Sequence, residues 1–471
     1  MNIKKNKHNQ GSILILVIVF GSVFSVLFGG TFGYIFTQHK FQAGKIEREK
    51  ALDIAEAGVN YYRWRLAHYP DDLQDGTGES GPYEHEYSDP EGEAVGKFSL
   101  DIVGVDQCGF PSAIDITSTG WTYDEPSFTR EIKVRYSRPS VAEYAYIINS
   151  SVWAGSDRVI SGKYHSNGGI RMDGVSDSLV SSAEEVWNCT SSFGCDDPYE
   201  EKPGVFGDGG GDLLGLWQYP VEPVDFNAIS LDLSQMKTVA QSDGLYFAKP
   251  TSGKGYHVIF KQDGTFDLYR VISVNSTRGY DSEEGWHWDY HDIKKESFLQ
   301  NYNIPSGCSL IFVEANLWVE GVVNGKVSIA SANLVNPNTD TDVILNGNIT
   351  YADSDGSDGL LVLGQNNVLI PLYSPDEMEL NGIYIAQKGH FGRNHYSCSS
   401  YWPWCDRQSL EMSGSIISNG RVGTQWTSGG VFSSGYRNRE NSYDRKLMTS
   451  PPPLTPFSDD EFGFIKWEEL N

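Results

Sequence analysis

The polarity pattern starts with one long apolar block. Ile13 to Phe36 is an uncharged run of 24 residues, and no Asp or Glu precedes Glu47. At 1.5 Å per residue it predicts about 36 Å of helix, enough to cross a bilayer with some tilt. Leu52, Ala55, Val59, Tyr62 and Leu66 then recur at three- and four-residue steps, so the helix continues to about residue 68 with one apolar stripe and one wet face. Residues 69–94 hold Pro70, Gly76, Gly78, Gly81, Pro82 and Pro90 among acids and read as a loop. Period-two alternation follows at Phe98, Leu100 and Ile102, at Ile114 and Ile116, and at Ile132, Val134 and Tyr136. Residues 95–138 therefore read as a small antiparallel sheet covering the helix stripe.

Past Pro139 the texture changes. Residues 141–180 and 305–440 carry short apolar runs broken by Gly and Asn, with Asn-Gly pairs at Asn167, Asn324, Asn346, Asn381 and Asn419. Short strands repeated without helices between them suit a right-handed parallel β-helix. Asn-Gly is also a common hairpin turn, so an antiparallel sandwich is the alternative. Residues 181–300 read as a loop-rich and α+β insert, whose α+β part, 226–300, is expected to dock on the side of that domain. It would hold a helix from Phe226 to Gln241, with Ile229, Leu233, Met236 and Val239 on one face, and a hairpin at Gln262–Gly264. Residues 441–471 form a Pro-rich tail whose last apolar cluster, Phe462, Phe464, Ile465 and Trp467, is expected to dock back on the body. The fold class is thus α+β and mostly β.

Charge places the two ends of the chain. Lys4, Lys5, Lys7 and His8 precede the apolar block, and the remainder makes the whole chain acidic, with 36 Lys+Arg against 62 Asp+Glu and a formal charge of −26. The asymmetry predicts a single-pass protein with its N-terminus in the cytoplasm and its body exported. Such acidity argues against nucleic acid as a partner. Six cysteines in an exported chain suggest disulfides. Cys189 with Cys195, and Cys398 with Cys405, would each close a small loop, while Cys108 and Cys308 are either paired across domains or free. No C-x-x-C supports a zinc reading.

The border of the apolar block carries a family resemblance. A Lys-rich leader (residues 1–11) ends in Gly11, Ser12 follows, and the helix starts at once. This resembles a type IV prepilin, in which a prepilin peptidase cuts after the glycine and residues 12–68 survive as the packing stem. The segment ALDIAEAG, Ala51 to Gly58, resembles the region after the membrane helix in PilX-like minor pilins. The resemblance covers roughly residues 1–68. It implies a structural, non-enzymatic subunit of a pilus or related filament, with other pilin subunits, the peptidase and the membrane as partners. Pilin-like proteins usually carry a glutamate at the fifth mature position, where this chain has Leu16. That departure favours a minor subunit over the bulk fibre subunit. Gly21, Ser25, Gly29 and Gly33 recur every four residues and form a small-residue stripe suited to helix–helix approach, although glycine is also simply common in membrane helices.

The search for chemistry is mostly negative. The chain has no G-x-S-x-G elbow, Walker loop or H-E-x-x-H, and no cofactor is implied. β-Helix enzymes that cut polysaccharides keep paired carboxylates of interest, here Asp340 with Asp342. Asp353, Asp355 and Asp358 in DSDGSDG resemble the start of a calcium loop, but Gly364 stands where the bidentate glutamate belongs, and a solvated acidic turn is the preferred reading. Trp286, Trp288, Tyr401, Trp402 and Trp404 cluster in two loop-like stretches, where flat rings suit sugars or a partner surface. The competing reading is that they plug loop-rich packing.

Overall fold

A computed structural model describes residues 10–69, 72–227, 232–336, 339–459 and 461–470. The basic residues Lys4 to His8, and Ile229, lie outside the described residues. A single helix, α1, runs Gln10–His68. Gly11 and Ser12 fall in its first turn, and Ile13 to Phe36 stand exposed along it. Among the described residues it is the one helix long and apolar enough to cross a membrane. Along this part Ser25 and Thr37 donate to the carbonyls of Gly21 and Gly33, each at 2.8 Å, and beyond the helix's own neighbouring backbone no described residue comes within 4 Å of where a Cβ on Gly21, Gly29 or Gly33 would sit.

The chain divides into two compact units: residues 1–104, 114–136 and 466–471, and residues 105–113 and 137–465. The first unit buries the second half of α1. A five-stranded sheet has the order β1 (Tyr83–Ser88), β2 (Ala94–Gln107), β3 (Phe110–Thr122), β4 (Arg130–Ser137), and then the C-terminal strand Gly463–Leu470. β1 therefore lies inside the segment expected to be loop; its alternation, YEHEYS, is hidden by acids on its open face. The buried helix face is Ala51, Ile54, Ala55, Val59, Tyr62 and Leu66, and Leu52 is only half-buried. The stripe is rotated toward small residues because the sheet comes very close. A Cβ on Gly120 would sit 2.3 Å from the Ala51 carbonyl oxygen, and one on Gly58 2.8 Å from the Phe98 ring. Thr122 Oγ1 donates to Glu47 Oε2 at 2.7 Å, tying sheet to helix where the stripe begins.

The second unit is built on parallel ladders. In the longest, Leu245–Phe247 is followed by Leu310–Val313, Lys326–Ser331, Gly359–Gly364, Glu377–Ala386 and Asp406–Ser418. It then passes to Tyr144–Ile148, Lys163–Ser166, Val180–Ser182 and Trp217–Gln218. Every pairing is parallel and strand follows strand through short turns, which is solenoid architecture and excludes the antiparallel sandwich. The chain thus enters the stack in its middle, winds to one end, returns to the other end and winds back.

That route corrects the insert reading. Residues 181–300 are not an insert, and 226–300 do not dock on the side of the solenoid. Val180–Ser182 and Trp217–Gln218 extend its ladder at one end, and Leu245–Phe247 and Gly255–Phe260 begin the parallel ladders at the other. Antiparallel Thr265–Val274 and Ile293–Asn303 then pair onward from Gly255–Phe260. The helix expected from Phe226 runs Leu233–Ser242. It starts there because Asp232 caps it, Oδ1 accepting from Ser234 N and Gln235 N.

Both faces of the longest ladder are buried. Ile311, Ile329, Val362, Tyr384, Ile416, Tyr146, Tyr164 and Val180 stack in register inside the coil. Phe312, Ala330, Leu363, Ile385, Ile417 and Ile147 form the opposite face, covered by Leu233, Met236, Val239 and Ala240 of the helix, with Leu447 and the half-buried Leu454 of the tail. Strands buried on both faces read as continuous apolar runs, which is why alternation was absent from this part of the sequence. At a turn edge the amides stack: Asn167 Nδ2 donates to Asn149 Oδ1, Asn149 Nδ2 to Asn419 Oδ1, and Asn419 Nδ2 to the Lys388 carbonyl, each at 2.8 Å.

Disulfides join Cys108 to Cys308, Cys189 to Cys195 and Cys398 to Cys405. Cys108 lies at the tip between β2 and β3, and this tip belongs to the second unit, as Cys308 does.

His257 is buried between two acids. Its Nδ1 is 2.9 Å from Glu296 Oε2 and its Nε2 is 3.3 Å from Glu320 Oε1. Burial lowers the imidazole pKa, but the two carboxylates outweigh it and the net shift is upward. A folded value above the unfolded one gives a contribution complete below pH about 6.5 and lost as pH climbs through the folded value. Stability of the second unit should fall over that interval. His257→Gln should remove this slope and cost about 2 kcal/mol at pH 6, as read by denaturant titration at stepped pH.

Candidate ligand-binding surface

The two aromatic stretches found in the sequence meet in space. Thr277–Asp281 and Gly285–Asp289 form an antiparallel hairpin. Asp281 builds its turn, Oδ1 accepting from Glu283 N at 2.7 Å and Glu284 N at 2.6 Å. Gly285 closes the turn at φ +74°, a conformation that side chains disfavour. The short strand His395–Tyr396 pairs with the other side of Thr277–Asp281. Directly after it comes the loop closed by Cys398 and Cys405, and Tyr401 Oη accepts from Arg278 N at 2.7 Å.

The hairpin has two unlike faces, as the strand period demands. Arg278, Tyr280, Trp286 and Trp288 share one. The Tyr280 and Trp286 rings are 5.6 Å apart, and the Arg278 guanidinium lies 5.5 Å from the Trp286 centroid. His395 meets the Trp286 edge at 5.6 Å, and Trp426 meets Tyr280 at 5.5 Å. Trp286, Trp288 and Tyr290 stay about half exposed, and Trp402 is 69% exposed. Trp404 is exposed too, edge-on to Tyr373 at 5.1 Å and beneath the Arg407 guanidinium at 4.5 Å. Tyr401 differs: it is half-buried, packs on Tyr396 at 6.1 Å, and acts as a strut through its hydroxyl. Tyr280, Tyr373, His395 and Trp426 were not found from the sequence, because each sits alone among unrelated neighbours.

The opposite hairpin face is polar and largely buried. His287 Nε2 is 2.8 Å from Asp289 Oδ1; its Nδ1 is 2.9 Å from the Gly285 carbonyl and 3.4 Å from Asp281 Oδ2. Burial lowers the His287 pKa, but the Gly285 carbonyl and the Asp289, Asp281 and Glu284 charges carry it upward. Asn394 Nδ2 donates to both Asp289 oxygens at 3.1 Å. Nearby Asp292 accepts from Tyr373 N at 2.9 Å, and burial raises its pKa. Arg393, 1% exposed, donates through Nη2 to the carbonyls of Leu372 and Trp404 and so ties the disulfide-closed loop to the segment that leads into Tyr373.

The other sequence candidates lie elsewhere. Asp358 is buried, its oxygens accepting from Gly325 N at 2.6 Å and Asp353 N at 2.7 Å, while Asp355 accepts from Ser357; Lys326 donates to the Asp358 carbonyl. These contacts build a turn with its own cation. Asp340 pairs with Lys388 at 2.8 Å, and Asp342 accepts from Asn366 and Asn367. A cleft of about 470 Å³ opens beside the amide row, lined by Asn149, Asp225, Phe226, Asn227, Lys388 and Asn419 among others.

Comparison with solved structures finds a competence-associated pilin, ComZ from Thermus thermophilus. The match covers 90% of this chain and 97% of that one, at 12% identity and a TM-score of 0.29. At that identity and score the likeness carries no functional argument. No family model matches the chain, and no curated protein matches its sequence.

Tyr401→Phe should leave the Arg278 amide without its partner. The expected cost is about 1 kcal/mol, read as roughly fivefold faster exchange of that amide with the rest of the second unit unchanged.

Proposed function

We propose that this chain is a minor, PilX-like subunit of a type IV pilus or related surface filament, and that its solenoid is displayed to contact surface glycans. The observation that carries the reading is the division of labour along α1. The half from Ile13 to Phe36 is apolar and exposed, while the half from Ala51 to Leu66 is buried in its own unit. One uninterrupted helix thus offers a stem to a membrane or to neighbouring subunits and carries a folded head. The Gly11–Ser12 border supports cleavage by a prepilin peptidase, and the Gly21, Ser25, Gly29 and Gly33 stripe supports close approach of another subunit's stem. The leader stays cytoplasmic, and the acidic body is exported and displayed at the cell surface.

Glycan contact is assigned to Trp286, Trp288, Trp402 and Trp404. Trp286 packs on Tyr280 and His395, and Trp404 on Tyr373 and the buried Arg407, and exposed indoles of this kind present flat apolar faces that suit the faces of sugar rings. The role is structural and adhesive rather than enzymatic.

Co-expression with a prepilin peptidase should produce a new amino terminus at Ser12 by intact and N-terminal peptide mass, and Gly11→Val should retain Met1. A wild-type chain that also retains Met1 would refute the pilin reading. Separately, the full-length protein should bind a subset of glycans on an array of bacterial and host-type sugars. Trp288→Ala with Trp402→Ala should lower that signal at least tenfold while thermal stability is kept, since both rings are exposed.

A further inference from the structure

We propose that the turn of the aromatic hairpin binds a divalent transition-metal ion of the zinc class, through the carboxylates of Asp281 and Glu284 and the Nδ1 atom of His287. One ligand atom from each of these residues lies within 4.8 Å of the other two. The strand register sets this up: His287 pairs with Gly279 and Gly285 with Asp281, so His287 and Asp281 share the inner face of the hairpin next to its turn. Asp281 is held rigidly, because Oδ1 already accepts two backbone N–H groups and Oδ2 is left 3.4 Å from His287 Nδ1. The Gly285 carbonyl oxygen, 2.9 Å from the same nitrogen, stands ready as a fourth donor. Glu284 is exposed and free to swing in, which closes the remaining distance.

Behind the ligands stands the support that a metal-bound histidine uses. Asp289 Oδ1 faces His287 Nε2 at 2.8 Å and orients the ring, and an ion at Nδ1 takes the place of the proton that links this atom to the Gly285 carbonyl. Asn394 in turn holds both oxygens of Asp289. Two further polar atoms border this row without a hydrogen-bond partner among the described residues: Oδ1 of Asn394, 3% exposed, and Oγ1 of Thr277, 2% exposed and directly opposite Asp289 in register. Buried polar atoms left unpaired beside a row of carboxylates call for an ordered water or an ion's hydration shell. One imidazole nitrogen among oxygen donors suits zinc and its neighbours, whereas calcium takes six to eight oxygens and no such set converges here among the described residues.

The site explains why an acidic, polar row lies behind an aromatic one. Trp286 and Trp288 alternate with His287 along one strand, so an ion gripping the inner face fixes the outer face as well. That consequence rests on the glycan reading above; the binding of the ion does not.

The test uses the untagged full-length chain in detergent, stripped with EDTA, dialysed, and titrated with zinc chloride in a calorimeter. One zinc ion per chain is expected. Glu284→Ala, a change at an exposed position that leaves the fold intact, and His287→Gln should each weaken it about tenfold or more. Trp288→Ala should leave zinc binding unchanged even where it abolishes glycan binding, which separates failure of one proposal from failure of the other. Absence of saturable one-to-one uptake, or equal affinity in wild type and Glu284→Ala, would overturn the site. Tight calcium binding without zinc binding would overturn the choice of metal.

Discussion

Parallel strands must be covered on both faces, and the larger unit is arranged around that requirement. The inner stack from Ile311 to Val180 is self-covering, because the coil closes on it. The opposite row, Phe312 through Ile147, has no second coil above it. The helix Leu233–Ser242 and the tail residue Leu447 are recruited to cover it. A stretch that looks like an insert, and a tail that looks like an appendage, are therefore structural necessities of the solenoid.

The same requirement positions the exposed aromatic surface. With the ladder faces committed to packing, chemistry is left to the turns and to excursions between strands. One excursion, Thr277–Asp289, folds back as a hairpin, and the disulfide-closed loop after Tyr396 meets it. Arg393 supports that loop from a fully buried position, donating to the carbonyls of Trp404 and Leu372. Rings packed on such a base have little freedom left to lose.

The smaller unit obeys a different constraint. Its helix must serve two environments, and the change occurs between Phe36 and Ala51 without a break in the helix. Small residues where helix and sheet meet, Gly58 and Gly120, allow the sheet to lie almost on the helix backbone. Among the described residues, one face of the second half is tightly packed while the apolar first half stays exposed, so one element joins two unlike parts.

Local pattern was enough to read α1, the alternating strands β2 to β4, the texture of the solenoid, and the short-range cysteine pairs, because each depends on neighbours in sequence. The pairing of Cys108 with Cys308 was left open, since a separation of 200 residues carries no local signal. β1 was missed because acids mask its alternation, and the insert was misplaced because ladder order is a long-range property: Ile417 pairs with Ile147, a neighbour no local pattern reveals. The candidate site divides the same way. Trp286, Trp288, Trp402 and Trp404 were visible as clusters, whereas Tyr280, His395, Trp426 and the set Asp281, Glu284 and His287 come into view only once the hairpin register and its third strand are known. The sequence alone determined the long helix, the alternating strands β2 to β4 and the short apolar runs of the solenoid, since those follow from short-range periodicity and backbone preference. Only the tertiary structure decided which strands lie side by side and which side chains share a face, since parallel pairing joins residues whose proximity costs loop entropy and leaves no local mark.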